Sequence, residues 1–377
     1  MDKFYNPVRI YQGFHCVQEL PRVISEIDRK IENILVITWD ESVQKNEDIQ
    51  GIVKEYSQYQ WKFIPFTRSN PEVEDLYQLY LETEKEGFDL IIAIGGGSVL
   101  DVGKSLCCLY DSEITDIAML RQKIREKDLK KGKCIWIGVP TTAGTGSEVT
   151  CWATIWDSKE NSKLSLEHQK NYAYASFVDP QFAETMPVSL AVSSALDAAA
   201  HATEAYWAKA ANLVSGGLAC QAITQIMQHI TELAEEQKVH MAHDHMAKGS
   251  MLAGMAFSNT KTTACHSISY PLTMHYHIPH GVAVGMLLTQ VMNKNRPYVK
   301  DFKRLLVAYG VESVEELDKK IKDIFDMAGI SYRLRDWKVR KEDLSMLACQ
   351  SSTKGRIDNN PAELSKEDIL EILETIY

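Results

Sequence analysis

Asp89-Leu90-Ile91-Ile92-Ala93-Ile94-Gly95-Gly96-Gly97-Ser98 is the stretch that decides the fold. Its apolar run has no polar interruption and stops in three glycines. A strand with one wet face would alternate apolar and polar residues; an unbroken run belongs to a strand covered on both faces, as in a parallel sheet flanked by helices. Working outward, Asn33-Ile34-Leu35-Val36-Ile37-Thr38 and Cys134-Ile135-Trp136-Ile137-Gly138-Val139 read the same way, and Lys62-Phe63-Ile64-Pro65-Phe66 is a weaker strand. Glu72 to Glu86 carries Val73, Leu76, Leu79 and Tyr80 at helical spacing. After Asp179-Pro180 the texture changes. From Val188 the chain is helical almost throughout, with Leu218, Ala222, Ile226, Ile230 and Leu233 on one stripe. The expectation is an α/β domain with a parallel sheet over residues 1–182 and an all-helical domain over 183–377.

The chain has 377 residues, 41 Lys plus Arg against 51 Asp plus Glu, and a formal net charge of -10. An acidic chain without a basic block offers nothing to neutralise phosphates, so nucleic acid is not an expected partner. No apolar run reaches the ~18 residues of a membrane span, and Met1 to Gly13 lacks the apolar core of a signal peptide. The eight cysteines show no CxxC spacing. A reducing cytoplasm is the expected compartment.

Two loops carry candidate chemistry. Gly96, Gly97 and Ser98 follow the central strand and open a helix that contains Asp101. Helix N-termini present unpaired N–H groups, and glycines let a pyrophosphate approach the backbone. Leu100 stands where GxGxxG would place its third glycine, so a tight turn is the competing reading. Pro140-Thr141-Thr142-Ala143-Gly144-Thr145-Gly146-Ser147-Glu148 follows another buried strand and packs hydroxyls around two glycines. Two such loops at the carboxyl ends of strands in one open sheet make a nucleotide crevice; a Ser/Thr turn capping a helix is the plainer alternative.

Asp197 and His201, four residues apart on a helical segment, face the same way. With His266 and His280 they would supply one carboxylate and three imidazoles to a divalent transition metal. His275 and His277 compete with His280, and an Asp-x-x-x-His pair is also a common surface contact.

GGGSVLD, PTTAGTGSEVT, DAAAHATEAY and ACHSISYPLTMHYHIPHG, in this order and spacing, resemble the iron-containing alcohol dehydrogenase family, and the likeness runs from FYNPVRIYQG to at least Asn295. The resemblance implies a dinucleotide-binding α/β domain followed by a helical domain, the dehydroquinate synthase-like architecture, and a homodimer. It implies that Asp197, His201, His266 and His280 hold the metal, Fe²⁺ by family habit with Zn²⁺ as the alternative. It places the cofactor on Gly96, Gly97, Ser98, Asp101, Thr141, Thr142, Thr145, Asn70 and Lys163. Trp39 occupies the position where NAD-preferring members often carry an Asp; Asp40, one place later, can take over the ribose 2′-OH, so NAD(H) is preferred to NADP(H). Tyr270 stands four residues after His266, where members often have a further histidine. A phenol with an ordinary pKa near ~10 shuttles protons less readily at neutral pH.

The stretches Trp152 to Asp157, Lys163 to Leu166 and Phe257 to Ala264 resemble the branch that reduces sulfoacetaldehyde or phosphonoacetaldehyde. Asn259 and Lys261, with Thr260 and Thr262, lie just before His266 and offer donors and a charge for an anionic head. The reaction expected is hydride transfer between a nicotinamide and a short anionic aldehyde. A short-chain alcohol or diol dehydrogenase is the nearest alternative, a dehydroquinate-synthase-like lyase the alternative from another reaction class, and a non-catalytic nucleotide-binding protein the third.

Overall fold

The computed structural model describes residues 3–110, 112–129, 134–160, 162–235, 239–352 and 355–377. The chain divides into two compact units. One comprises Asn6–Thr142 and Ser147–Phe182; the other comprises Ala183–Tyr377 together with Ala143–Gly146 and the N-terminal residues up to Tyr5. The division therefore follows the change of texture near Pro180, except that two short stretches pack with the C-terminal unit.

The first unit contains β1 (Arg9–Gln12), β2 (Asn33–Thr38), β3 (Gln60–Pro65), β4 (Leu90–Gly95), β5 (Ile135–Pro140), β6 (Trp152–Asp157), β7 (Ser162–Glu167) and β8 (Ala175–Val178). Its helices are α1 (Leu20–Ser25), α2 (Glu47–Glu55), α3 (Val73–Thr83), α4 (Gly97–Leu109) and α5 (Ile117–Glu126). Six strands form one parallel sheet in the order β1-β8-β5-β4-β2-β3, and β6 and β7 form a separate antiparallel hairpin.

The two faces of this sheet explain the unbroken apolar runs. Ile34 and Val36 of β2, with Leu90, Ile92 and Ile94 of β4, enter a core shared with Val23 and Ile24 of α1 and Ile49 and Ile52 of α2. The intervening Leu35, Ile37, Ile91 and Ala93 enter the opposite core, against Leu76 of α3, Val99 and Leu106 of α4 and Leu120 and Ile124 of α5. Side chains alternate across a strand, so a strand between two cores has no position left for a polar residue. Burying each Ile or Leu contributes about 1.5–3 kcal/mol.

Topology then places the ligand end. From β2 the chain runs outward to β3; from β4, on the other side of β2, it runs the opposite way to β5. The β2–β4 pair is therefore the switch point, and ligands of open α/β sheets bind outside the carboxyl ends of such strands.

The second unit is helical: α6 (Val188–Trp207), α7 (Leu213–Ala234), α8 (Val239–Thr260), α9 (Ala264–Tyr276), α10 (His280–Asn295), α11 (Phe302–Tyr309), α12 (Val314–Met327), α13 (Leu344–Gln350) and α14 (Lys366–Thr375). Helix α6 is its axis, packed against α7, α8 and α10. Ala195, Ala198, Ala199, Ala200, Ala202 and Ala205 are all fully buried, small enough for three helices to close on α6. The apolar stripe of α7 faces inward through Ala222, Ile226, Ile230 and Leu233. Among the described residues no helix is long and apolar enough to cross a membrane.

Candidate active site

At the carboxyl ends of β2, β4 and β5 the sheet unit gathers the glycine loop and the start of the threonine loop, Thr141 and Thr142. Trp39 N donates to Ile94 O (3.2 Å) and Thr141 N to Gly95 O (3.1 Å), which ties the three strand ends together. Gly96 is the extended N-cap of α4 and no side chain caps that helix, so its first-turn amides are open to a ligand. A Cβ on Gly96 would lie 3.2 Å from Thr142 Cγ2 and crowd the threonine loop. Asn70, left-handed at φ 55°, donates its N–H to Ser98 Oγ (3.1 Å) and joins the same rim.

Not every cofactor candidate stands at that rim with a side chain to spare. Asp101 Oδ1 accepts from Ser147 Oγ (2.6 Å) and its Oδ2 from Thr154 N (2.7 Å), so the carboxylate binds α4 to the threonine loop and to β6. Asp40 Oδ1 accepts from Ser42 N (2.7 Å) and Ser42 Oγ (2.5 Å). Trp39 is half-buried, edge-on to Phe182 at 6.4 Å. Lys163, exposed on β7, holds its ammonium 5.4 Å from the centre of the Trp156 ring. Thr145 belongs to the stretch that packs with the helical unit.

In the helical unit the structure brings Asp197, His201 and His266 together, with one potential ligand atom from each within 4.8 Å of the others and all three residues buried. Asp197 Oδ1 lies 3.3 Å from His266 Nε2, 3.8 Å from His201 Nδ1 and 3.9 Å from His280 Nε2. Helix geometry stacks Asp197 and His201 on one face of α6. His280 comes from the first residue of α10, and Gly281 sets its approach: a Cβ there would sit 2.2 Å from Ser193 O, one turn before Asp197. His280 is the open side of the group, its side chain 36% exposed. The competing histidines are elsewhere: His275 Nε2 pairs with Gln350 Oε1 (2.5 Å), and His277 is the left-handed C-cap of α9.

Asp197 Oδ1 and His266 Nε2 are the decisive atoms. Both are buried and neither has a hydrogen-bond partner. Buried polar atoms are nearly always paired, so two orphans facing each other at 3.3 Å need an explanation. A cation accepting both lone pairs provides one, and three imidazole nitrogens with one carboxylate oxygen suit Fe²⁺ or Zn²⁺.

The charges of the group without its cation are these. Burial would raise the Asp197 carboxyl, but His201, His280 and His266 hold it well below the usual carboxylate range. Burial pushes His201 down to about 4, against the opposing pull of Asp197. Burial works the same way on His266, but the Glu204 and Asp197 carboxylates reverse it and lift the imidazole to about 10, so without a cation Nε2 carries a proton at neutral pH, which a bound metal would displace.

Family models match both halves of the chain: iron-containing alcohol dehydrogenase over residues 7–180 and the C-terminal part of the Fe-containing alcohol dehydrogenase family over residues 191–377. The lactaldehyde reductase of Escherichia coli is 31% identical over 78% of this chain and 78% of its own. The chain belongs to the iron-containing alcohol dehydrogenase family. The NADPH-dependent butanol dehydrogenase of Clostridium saccharobutylicum is 27% identical over all of this dehydrogenase and 98% of its own length. The sulfoacetaldehyde reductase of Bifidobacterium kashiwanohense, solved in complex with NAD⁺, shares the fold at a TM-score of 0.90 and 24% identity, covering 100% of this chain and 98% of that one.

The three positions expected to meet the substrate lie as follows. Tyr270 lies flat on His280, ring centres 5.9 Å apart at 11°. Asn259 commits both ends of its amide to backbone, Oδ1 accepting from Tyr5 N (2.7 Å) and Nδ2 donating to Met255 O (3.2 Å). Lys261 sits at φ 63° in the turn between α8 and α9, its N–H donating to Phe257 O (2.7 Å). Glu204 is the residue that sequence reasoning missed. It is fully buried and accepts from His266 Nδ1 (2.5 Å). Its signal was its spacing, since positions 197, 201 and 204 follow the i, i+4, i+7 rule of one helix face.

Proposed function

We propose that this dehydrogenase reduces a short anionic aldehyde to its alcohol with NADH and a divalent metal held by Asp197, His201, His266 and His280. The observation that carries the reading is the buried, unpartnered pair Asp197 Oδ1 and His266 Nε2. When bound, the nicotinamide supplies the hydride and the dication the Lewis acidity that draws charge from the carbonyl oxygen. The chain supplies the rest. Gly96, Gly97 and the open amides of α4 receive the pyrophosphate, as at other helix N-termini after a strand. Asp40, at the end of β2, keeps Oδ2 for the ribose 2′-OH and repels a 2′-phosphate, which favours NAD(H) over NADP(H). The phenol of Tyr270, stacked on His280, stands beside the open edge of the ligand group.

The turn carrying Lys261 supports an anionic substrate. Its first end is Phe257, whose ring stacks on His201 at 4.3 Å, and it leads into α9 and His266. Asn359 Nδ2 pins the turn by donating to Thr260 O (2.8 Å) and Thr262 O (3.1 Å). Thr262 Oγ1 is buried there without a hydrogen-bond partner. A fixed turn with a cation and a hydroxyl, joined at both ends to metal-site residues, suits sulfonate or phosphonate oxygens. The similar fold of a sulfoacetaldehyde reductase agrees with this reading. A neutral substrate is the second reading, favoured by the closer sequence likeness to a lactaldehyde reductase and by the butanol dehydrogenase.

The test is NADH oxidation at 340 nm by Fe²⁺- and Zn²⁺-reconstituted enzyme on matched two- and three-carbon aldehydes with and without an anionic group, with NADPH in parallel. The expected result is a kcat/KM at least about 100-fold higher for sulfoacetaldehyde or phosphonoacetaldehyde than for propanal, about 2.7 kcal/mol of transition-state binding. Flat turnover across the panel would replace the anionic reading with that of a generalist alcohol dehydrogenase.

A further inference from the structure

The Asp197 group has a neighbour that touches no cofactor. Glu204 is fully buried, three residues past His201 on α6, and among the described residues its carboxylate takes its hydrogen bonds from the chain that leads into His266. Oε1 accepts from Cys265 N (2.6 Å), from Thr263 Oγ1 (2.9 Å) and, more distantly, from His266 N (3.4 Å). Oε2 accepts from His266 Nδ1 at 2.5 Å. One carboxylate thus caps the N-terminus of α9, where Thr263 makes no cap with its own side chain, and receives the imidazole that α9 presents.

This division of labour fixes a proton. A carboxylate only accepts, so the neutral imidazole of His266 carries its hydrogen on Nδ1 and keeps its lone pair on Nε2, the atom that faces Asp197 Oδ1. We propose that Glu204 is a positioning residue that sets the tautomer of His266 and so makes Nε2 a ligand; the inference rests on the metal-site reading above. An amide at the same place would invert the tautomer. The amide oxygen would have to take the cap, because two backbone N–H groups and a hydroxyl donate there. Its –NH₂ would then face Nδ1 and donate to it, which moves the imidazole proton to Nε2 and removes the lone pair.

The experiment is a Co²⁺ titration of the metal-free full chain against a competing chelator, for wild type, Glu204→Gln and Glu204→Asp, with thermal unfolding of each metal-free protein alongside. Outer partners of ligating histidines are worth about 10–100-fold in metal affinity, and Glu204→Gln is expected to lose at least that. Glu204→Asp, a shorter side chain but still an acceptor, is expected to bind Co²⁺ more tightly than Glu204→Gln. A role in shape alone predicts the reverse order, because Gln is the isostere of Glu. Wild-type affinity in Glu204→Gln, or Glu204→Asp binding no better than Glu204→Gln, would overturn the inference while leaving the metal site intact. No Co²⁺ uptake by the wild type would instead overturn the metal-site reading and this inference with it.

Discussion

A buried group of charged side chains in the sheet unit and another in the helical unit treat their polar atoms differently. In the sheet unit Lys104 of α4 is fully buried, and its ammonium donates to Ser147 O (2.8 Å), Ser147 Oγ (2.9 Å), Thr150 Oγ1 (3.1 Å) and Trp152 O (2.8 Å). Asp101 Oδ1 lies 3.6 Å away and the Trp136 ring centre 5.3 Å away. Three protons have at least as many acceptors, and the group is closed. In the helical unit Asp197 Oδ1 and His266 Nε2 are equally sheltered from water and have no hydrogen-bond partner. A buried charge whose partners all belong to the chain ties segments together; a buried carboxylate oxygen and an imidazole nitrogen that face each other without hydrogen-bond partners call for a further explanation, and a ligand is the one argued above. Burial and pKa perturbation alone would not separate the two, since burial pushes Lys104 down as it does His201. Satisfaction of the atoms does.

The largest effect should come from the open group. His266→Ala removes one of the two orphaned atoms and is expected to cut turnover by about 10³-fold or more, the several kcal/mol of Lewis-acid stabilisation lost with the metal. NADH binding, measured by fluorescence titration, should change little, because Gly96, Gly97 and Ser98, the expected pyrophosphate contacts, belong to the sheet unit. Wild-type activity in this variant would erase the contrast between the groups.

The closed group should respond in stability. Lys104→Met deletes the ammonium and leaves Asp101 with one cation fewer and Ser147 O, Ser147 Oγ, Thr150 Oγ1 and Trp152 O without their Lys104 donor. Breaking a buried charge network by removing one member costs about 3–5 kcal/mol. Guanidinium unfolding would show a lower midpoint at unchanged slope, and Co²⁺ uptake by the folded variant should match wild type. A neutral effect on unfolding would mean that Lys104 is merely tolerated.

How much of this was legible depends on the signal each residue sends along the chain. β2, β4 and β5 were readable because burial on both faces forces an uninterrupted apolar run, and α7 because its inward stripe repeats at helical period. β1 and β8, at four residues each, are too short to show any period. The β6–β7 hairpin hides behind its own pattern: Ala153, Ile155, Leu164 and Leu166 alternate with polar and aromatic neighbours, but Asp157, paired with Arg121 (2.9 Å), puts a charge at a buried strand position. In the site, Asp197 and His201 were legible as a helix pair, whereas His266 and His280 come from separate helices that meet only in three dimensions. From the bare residues His275 and His277 were as good as His280; the family resemblance pointed to His280. Asp101 was read as a cofactor contact because it sits in the glycine-loop helix, yet its carboxylate is occupied by Ser147 and Thr154.

The smallest expected effect tests whether the closed group is fully at ease. Glu148, 2% exposed and within electrostatic reach of Lys104, has its carboxyl pushed up by burial to about 7, with Lys104 pulling the other way. A raised carboxyl pKa means that the native state holds a proton which the unfolded chain releases above its ordinary value of 4.5. Stability from this group is therefore full below pH ~4.5, falls as the pH climbs towards 7, and stays low above it, a total of about 3 kcal/mol. Glu148→Gln keeps the shape of the protonated acid and cannot ionise. By guanidinium unfolding the variant should equal wild type near pH 4.5 and exceed it by up to about 3 kcal/mol at pH 8. If the two proteins keep the same gap at both pH values, Lys104 holds Glu148 ionised throughout, and the cation has a second carboxylate beside that of Asp101.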